Sequence, residues 1–178
     1  MANYKGAPVV ALRRWVRAAP GVEERLIATL TPEQRKSWEA LTASTWLPVE
    51  FVTHLYATAA PLLYPAEAQP VRRLGRELAR DTFGGWLSFV IRVFSAESLV
   101  EKTAQVWGRF HDAGKATGTR TGERRMLLTV EEYPDLPERM RESISGYLAQ
   151  AIEMTGAAGV TVVPRADGPR WLWEIQWR

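Results

Sequence analysis

The C-terminal stretch VTVVPRADGPRWLWEIQWR, Val160–Arg178, decides how the chain is read. Trp171, Trp173, Ile175 and Trp177 alternate with Leu172, Glu174 and Gln176, the period of a strand that buries one face and wets most of the other. Val160–Val163 is a second strand and RADG a turn, so the spacing predicts a hairpin. Before it, Glu138–Thr155 repeats Met140, Ile144, Tyr147, Leu148, Ala151 and Ile152 at helical spacing. Pro134 to Pro137 separates that helix from ATGTRTG and RRMLLTVEEY, which read as two strands joined near Thr121-Gly122, with Met126, Leu128 and Val130 on one face. Residues 115–178 therefore read ββαββ, an antiparallel sheet with one helix on it.

Residues 1–114 read as mainly helical. Pro8–Ala19 puts Val9, Leu12, Trp15 and Val16 on one face and Arg13, Arg14 and Arg17 toward the other side. Thr31 and Gln34 form a capping-box pattern with Pro32 at the first helical position. From Pro48 to about Leu63 a central helix carries Val52, Leu55, Tyr56, Ala59 and Leu63, with Pro61 bending or ending it. In Val71–Thr82, Gly75 sits between Leu74 and Leu78 and lets another helix come close, while Arg72, Arg76 and Arg80 follow a separate face. Gly84–Phe94 is apolar almost all round and suits a short buried helix. Ser95 caps the next helix, whose inward stripe is Leu99, Thr103, Val106, Trp107 and Phe110, with Gly114 as the left-handed stop. The whole is an α+β chain: an N-terminal helical bundle packed on the C-terminal antiparallel sheet, in a single domain of residues 1–178. A length of 178 residues, 46% hydrophobic, suits one such core.

Composition excludes more than it assigns. There is no cysteine, so disulfides and thiolate metal sites are out. No apolar run matches a signal peptide or a membrane span, and a cytoplasmic protein without a membrane span is expected. The net charge of +3 rests on 23 basic and 20 acidic residues. The arginine clusters, without a reading motif, are taken as solvated faces rather than a nucleic-acid surface. No G-x-S-x-G elbow or P-loop setting occurs, and Glu23-Glu24 and Glu131-Glu132 are adjacent, so their side chains diverge. No enzyme activity, catalytic residue, metal or cofactor is expected. Of the two histidines, His54 falls off the apolar stripe and reads as exposed, and His111 reads as a helix-end residue favoured by the helix dipole.

The segments RRLGRELARDTF, FSAESLVEKTAQVWGRFHDAGK and EEYPDLPERMRESISGYLAQAIEMTGAAGVTV resemble an uncharacterised family of myxobacterial proteins of about this length. That family is similar to the superfamily of 4-vinyl reductase domains, haem nitric-oxide-binding domains and TRAPP-type subunits. The resemblance covers roughly residues 48–178. It implies helices and an antiparallel sheet enclosing an apolar pocket, used elsewhere for haem, small hydrophobic molecules or acyl chains. RADGPRWLWEIQW lacks the cysteines that members of this group often carry there, and the Tyr-x-Ser-x-Arg haem-propionate pattern is absent, which disfavours haem.

Two functions of different class remain. One is a non-enzymatic sensory domain holding a small hydrophobic ligand against Trp171, Trp173, Trp107, Phe110 and Tyr56. The other is an adaptor with a self-filled core that binds a signalling partner. A homodimer through Gly75, Leu74 and Leu78 is compatible with both. The alternation of Trp171, Trp173 and Trp177 is the same whether the indoles pack a core or line a pocket.

Overall fold

The computed structural model describes residues 2–84 and 91–178. Its helices are α1 (Gly6–Ala18), α2 (Val22–Ile27), α3 (Pro32–Glu39), α4 (Val49–Leu63), α5 (Pro70–Thr82), α6 (Ala96–Val106) and α7 (Glu138–Met154). The short helix expected over Gly84–Phe94 falls largely outside the described residues. Local chemistry sets several boundaries. Gln34 N donates to Thr31 Oγ1 at 3.2 Å while Thr31 N donates to Gln34 Oε1 at 3.0 Å, the reciprocal box that starts α3. Ser98 N donates to Ser95 Oγ at 3.2 Å and starts α6. After α6 a single 3₁₀ turn, Trp107–Arg109, leads to Gly114, whose φ of 82° redirects the chain into the sheet.

Strands β3 (Lys115–Gly122), β4 (Arg125–Glu131), β5 (Thr161–Asp167) and β6 (Arg170–Gln176) form one antiparallel sheet in the order β3-β4-β6-β5. The ββαββ reading is thus the observed topology. The first hairpin closes two residues later than expected: β3 runs through Thr121-Gly122, and Glu123 and Arg124 make the turn, with Arg124 at φ 54°. Across β4 and β6, Val130 faces Trp171, Leu128 faces Trp173 and Met126 faces Ile175. This is the face that meets α7, and Trp173 is fully buried there, its Nε1 donating to Ser145 Oγ at 3.1 Å. At the other end of the chain, β1 (Asn3–Lys5) and β2 (Trp46–Pro48) make a separate antiparallel pair.

Helices α5 and α7 cross with their backbones nearly touching. A Cβ at Gly75 would lie 2.0 Å from Ser143 O, and one at Gly146 would lie 1.9 Å from Arg72 O. Each glycine opens the other helix's path, so Gly75 does admit a neighbour, and that neighbour belongs to the same chain. The homodimer expectation therefore loses its surface, because Leu74, Gly75 and Leu78 are all buried inside the protomer. Two of the arginines nearby are not on a solvated face either, although Arg80 is exposed. Arg72 donates to Val162 O at 2.7 Å, and Arg76 forks onto Glu153 at 2.7 and 3.0 Å, tying α5 to β5 and α7. Arg13 of α1 likewise donates to Trp38 O and Leu41 O, at 2.7 and 3.0 Å, and holds the end of α3. Among the described residues no helix is long and apolar enough to cross a membrane.

Candidate functional site

The stripe that α6 turns inward does not close on a filled core. Leu99, Thr103, Val106, Trp107 and Phe110 form one wall of a cavity of about 250 Å³. Ser143, Ile144, Tyr147 and Leu148 of α7 form the facing wall, and Leu78, Thr82 and Phe83 at the end of α5 form a third. Tyr4, Pro8, Ile91, Phe94, Lys102 and His111 complete the described lining. Lys102 is exposed and lies 5.3 Å over the Phe94 ring, which marks the side where the cavity meets solvent.

Tyr4 and His111 reach this wall through a backbone contact between distant segments. Lys5 N donates to Phe110 O at 2.8 Å and Asp112 N to Asn3 O at 3.2 Å, an antiparallel bridge that sets Tyr4 opposite His111. Asn3 locks it, donating from its backbone N and Nδ2 to the Asp112 carboxylate at 2.6 and 2.7 Å. His111 is consequently 4% exposed rather than a solvated helix end. Its ring stacks flat on Trp107, centroids 4.0 Å apart and planes 6° apart, with the Tyr4 ring edge-on at 4.8 Å. Burial pushes its imidazole down to about 3, against a smaller upward pull from Asp112, so the ring is neutral at physiological pH. Nδ1 is closed off from water and has no hydrogen-bond partner among the described residues. Burial also raises the Tyr4 and Tyr56 phenols and pushes Tyr147 up to about 12, so no charge forms on this side of the cavity near neutrality.

The five residues proposed from sequence separate here. Trp107 and Phe110 line the cavity. Tyr56 lies behind Tyr4, its ring 6.4 Å away and fully buried. Trp173 is core between sheet and α7, and Trp171, half-buried, donates from Nε1 to Tyr133 O at 2.9 Å beneath the Arg141 guanidinium. Tyr56 is kept from the cavity by Tyr4, and the two tryptophans stand outside its wall because the side of α7 that the sheet covers is not the side that faces α6. The residues missed were Tyr4, His111 and the Ile144/Tyr147/Leu148 face. The last of these was visible as an apolar stripe, whereas His111 carried no local signal of burial. His54 is half-buried, with Nε2 2.9 Å from Thr29 Oγ1, and takes no part in the cavity. Among the described residues no group of three or more His, Asp or Glu is placed to hold a metal ion. A second cleft, between Trp15, Tyr64, Arg73, Glu77, Arg80 and Asp81, has its charges paired across Glu77, at 2.8 Å to Arg73 and 2.5 Å to Arg80.

A family model described as a protein of unknown function (DUF2378) matches residues 5–178. No protein of curated function matches in sequence. Solved structures do match in fold. An iron(II) unliganded H-NOX protein mutant from K. algicida superposes with a TM-score of 0.69 at 10% identity, over 98% of this chain and 96% of that one. An H-NOX protein from S. oneidensis in the Fe(II)NO state gives 0.66 at 14% identity, covering 98% and 99%. An oxygen-binding H-NOX domain related to soluble guanylate cyclases gives 0.63 at 12% identity, covering 98% and 95%.

Proposed function

The chain belongs to the DUF2378 family and has the H-NOX fold, and from that premise we propose that it is a non-enzymatic sensory or regulatory domain. Its signal is a small hydrophobic molecule held in the cavity between α6, α7 and the end of α5. The observation that carries this reading is the cavity itself: about 250 Å³ walled chiefly by Leu, Ile, Val, Phe and Trp side chains. An apolar cavity of about 150 Å³ is enough to take up benzene. This one has room for one substituted ring or two fused rings, below the about 300–1,000 Å³ of sites for drug-sized ligands.

H-NOX structures have been solved to probe haem distortion, so haem is the first group to test against the cavity. The residues do not fit it. A porphyrin joins four pyrrole rings and carries two propionates, whereas this space suits about two fused rings and Lys102 is the one cation on its described wall. The wall's single histidine, His111, has one face covered by Trp107 and an edge-on tyrosine beside it. Recognition here is of a compact apolar body.

Calorimetric titration of the purified chain with naphthalene-sized apolar molecules, repeated on Ile144→Trp, tests the reading. Ile144 is half-buried on the wall, so an indole there fills the cavity while the helix persists. Saturable one-to-one binding that Ile144→Trp abolishes is the expected outcome. A folded wild-type chain that takes up no member of the series would leave the adaptor reading instead.

A further inference from the structure

We infer that the ligand is a small amphiphilic acid, with a compact apolar body inside the cavity and one negatively charged head at its mouth, held by Lys102. This rests on the reading of the cavity as a ligand site and names the charge that site selects. Lys102 is the one formally charged side chain on the described wall, and residues 85–90, GWLSFV, contain no charged residue. It is exposed, with Nζ 5.3 Å over the ring of Phe94, itself a wall residue, so the charge stands on apolar surface at the rim. Nothing neutralises it there. Its helical neighbours three and four residues away are Ser98, Leu99, Gln105 and Val106, none of them acidic. Among the described residues it makes no ion pair. The second cleft shows the contrast, because Arg73 and Arg80 are both paired there with Glu77. An apolar cavity edged by one uncompensated cation matches a guest that is apolar at one end and carries a single negative charge at the other.

The distribution of charge also sets which way round the guest sits. Deeper in, the described wall offers hydroxyls and a neutral imidazole but no cation, so a carboxylate drawn inward would lose its hydration against neutral groups. At the rim the head keeps part of its water and gains the lysine's charge. A cationic guest would meet Lys102 with no carboxylate on the described wall to offset it. A phosphate monoester carries about −1.5 to −2 near neutrality, more than one lysine balances, which favours a carboxylate or another monoanion.

Two compounds of nearly one shape, 2-naphthoate and 2-naphthamide, separate the charge from the body. Each is titrated calorimetrically into the wild-type chain, Lys102→Met and Lys102→Glu, at low and high salt. Methionine keeps an apolar stem, and an exposed position tolerates either change. The expected result is that wild type binds 2-naphthoate about three- to fivefold more tightly than 2-naphthamide at low salt, the scale of one solvent-exposed ion pair. That preference should vanish in Lys102→Met, invert in Lys102→Glu and shrink as salt is raised, while naphthamide affinity stays unchanged. Equal binding of the two by wild type, or tighter binding of the amide, overturns the inference and leaves the cavity reading intact. A naphthoate preference that survives Lys102→Met also overturns it, in favour of the hydroxyls of the inner wall. Binding of neither compound defeats both readings.

Discussion

The crossing of α5 and α7 makes a quantitative demand on two glycines. In Gly75→Ala the new methyl lands 2.0 Å from Ser143 O, and ordinary contact begins near 3.4 Å, so the helices must part by about 1.4 Å. The atom met is backbone and cannot rotate away. A radial gap of about 0.5–1 Å already forfeits a quarter to a half of each dispersion contact, and the crossing packs Val71, Leu74, Leu148 and Ala149 in full burial. The cost belongs near the top of the about 1–3 kcal/mol for overpacking. Alanine returns about 1 kcal/mol of helix propensity, leaving a net loss of about 2 kcal/mol. For a chain of this size that is a fall in Tm of about 4–8 °C. Gly146→Ala meets Arg72 O at 1.9 Å and should cost the same. One separation relieves both clashes, so the double variant should lose well under the sum, about 1 kcal/mol or more short of additivity. Gly108, with nothing within 4 Å of its added Cβ, is the control and should change by under about 1 kcal/mol. Urea unfolding of the four variants measures all of this. A neutral Gly75→Ala, or an additive double variant, would show that the helices do not touch as described.

What the sequence disclosed tracks how local each signal is. The period of two in Trp171–Trp177 and the Thr31/Gln34 box are each written within a few residues, and each is present in the structure; the expected RADG turn is not, because Arg165–Asp167 stay paired in β5 and the chain turns at Gly168-Pro169. Gly75 announced a close approach but not its partner, because the complementary glycine is Gly146, on a helix beyond the first hairpin. Arg72 and Arg76 on α5 looked solvated for the same reason: Val162 O and Glu153 are brought to them only by the fold.

The site was half legible on the same logic. The Leu99/Thr103/Val106/Trp107/Phe110 stripe was read as inward, and it is; helical spacing shows which side turns in but not whether the space opposite is filled. The tryptophan strand is the converse case. Alternation showed a buried face, and only the packing of α7 on β4 and β6 determines that Trp173 is core while the cavity opens on the far side of that helix. His111 is not the solvated helix end expected, because the 3₁₀ turn and the bridge to Tyr4 carry it indoors, and neither follows the α-helical period by which it was placed.

Three further outcomes follow from these placements. Trp173→Ala should cost about 3–5 kcal/mol, since it removes a fully buried indole and its bond to Ser145, whereas Trp171→Phe should be milder because that ring is half-buried; chemical denaturation of the pair checks the order. For His111, the native imidazole titrates at about 3 and the unfolded one near its ordinary 6.5. The unfolded state therefore takes the proton first, and stability should be full above about pH 6.5 and fall by about 1.4 kcal/mol per pH unit below it, down to about pH 3. His111→Phe should lose that component, so the wild-type-minus-variant stability difference must slope over this window; a flat difference refutes the buried neutral imidazole. The last concerns tryptophan emission, which has one reporter on the described cavity wall. Trp107 stands there, stacked on His111, its Nε1 donating to Ala113 O at 2.9 Å. A cavity ligand should perturb its emission, and Trp107→Phe should remove most of the change while calorimetry still registers binding. Trp86 lies outside the described residues, so Trp86→Phe is measured alongside. If the emission change survives Trp107→Phe and disappears in Trp171→Phe, the ligand lies against the sheet, and the assignment of the cavity to the helices is wrong.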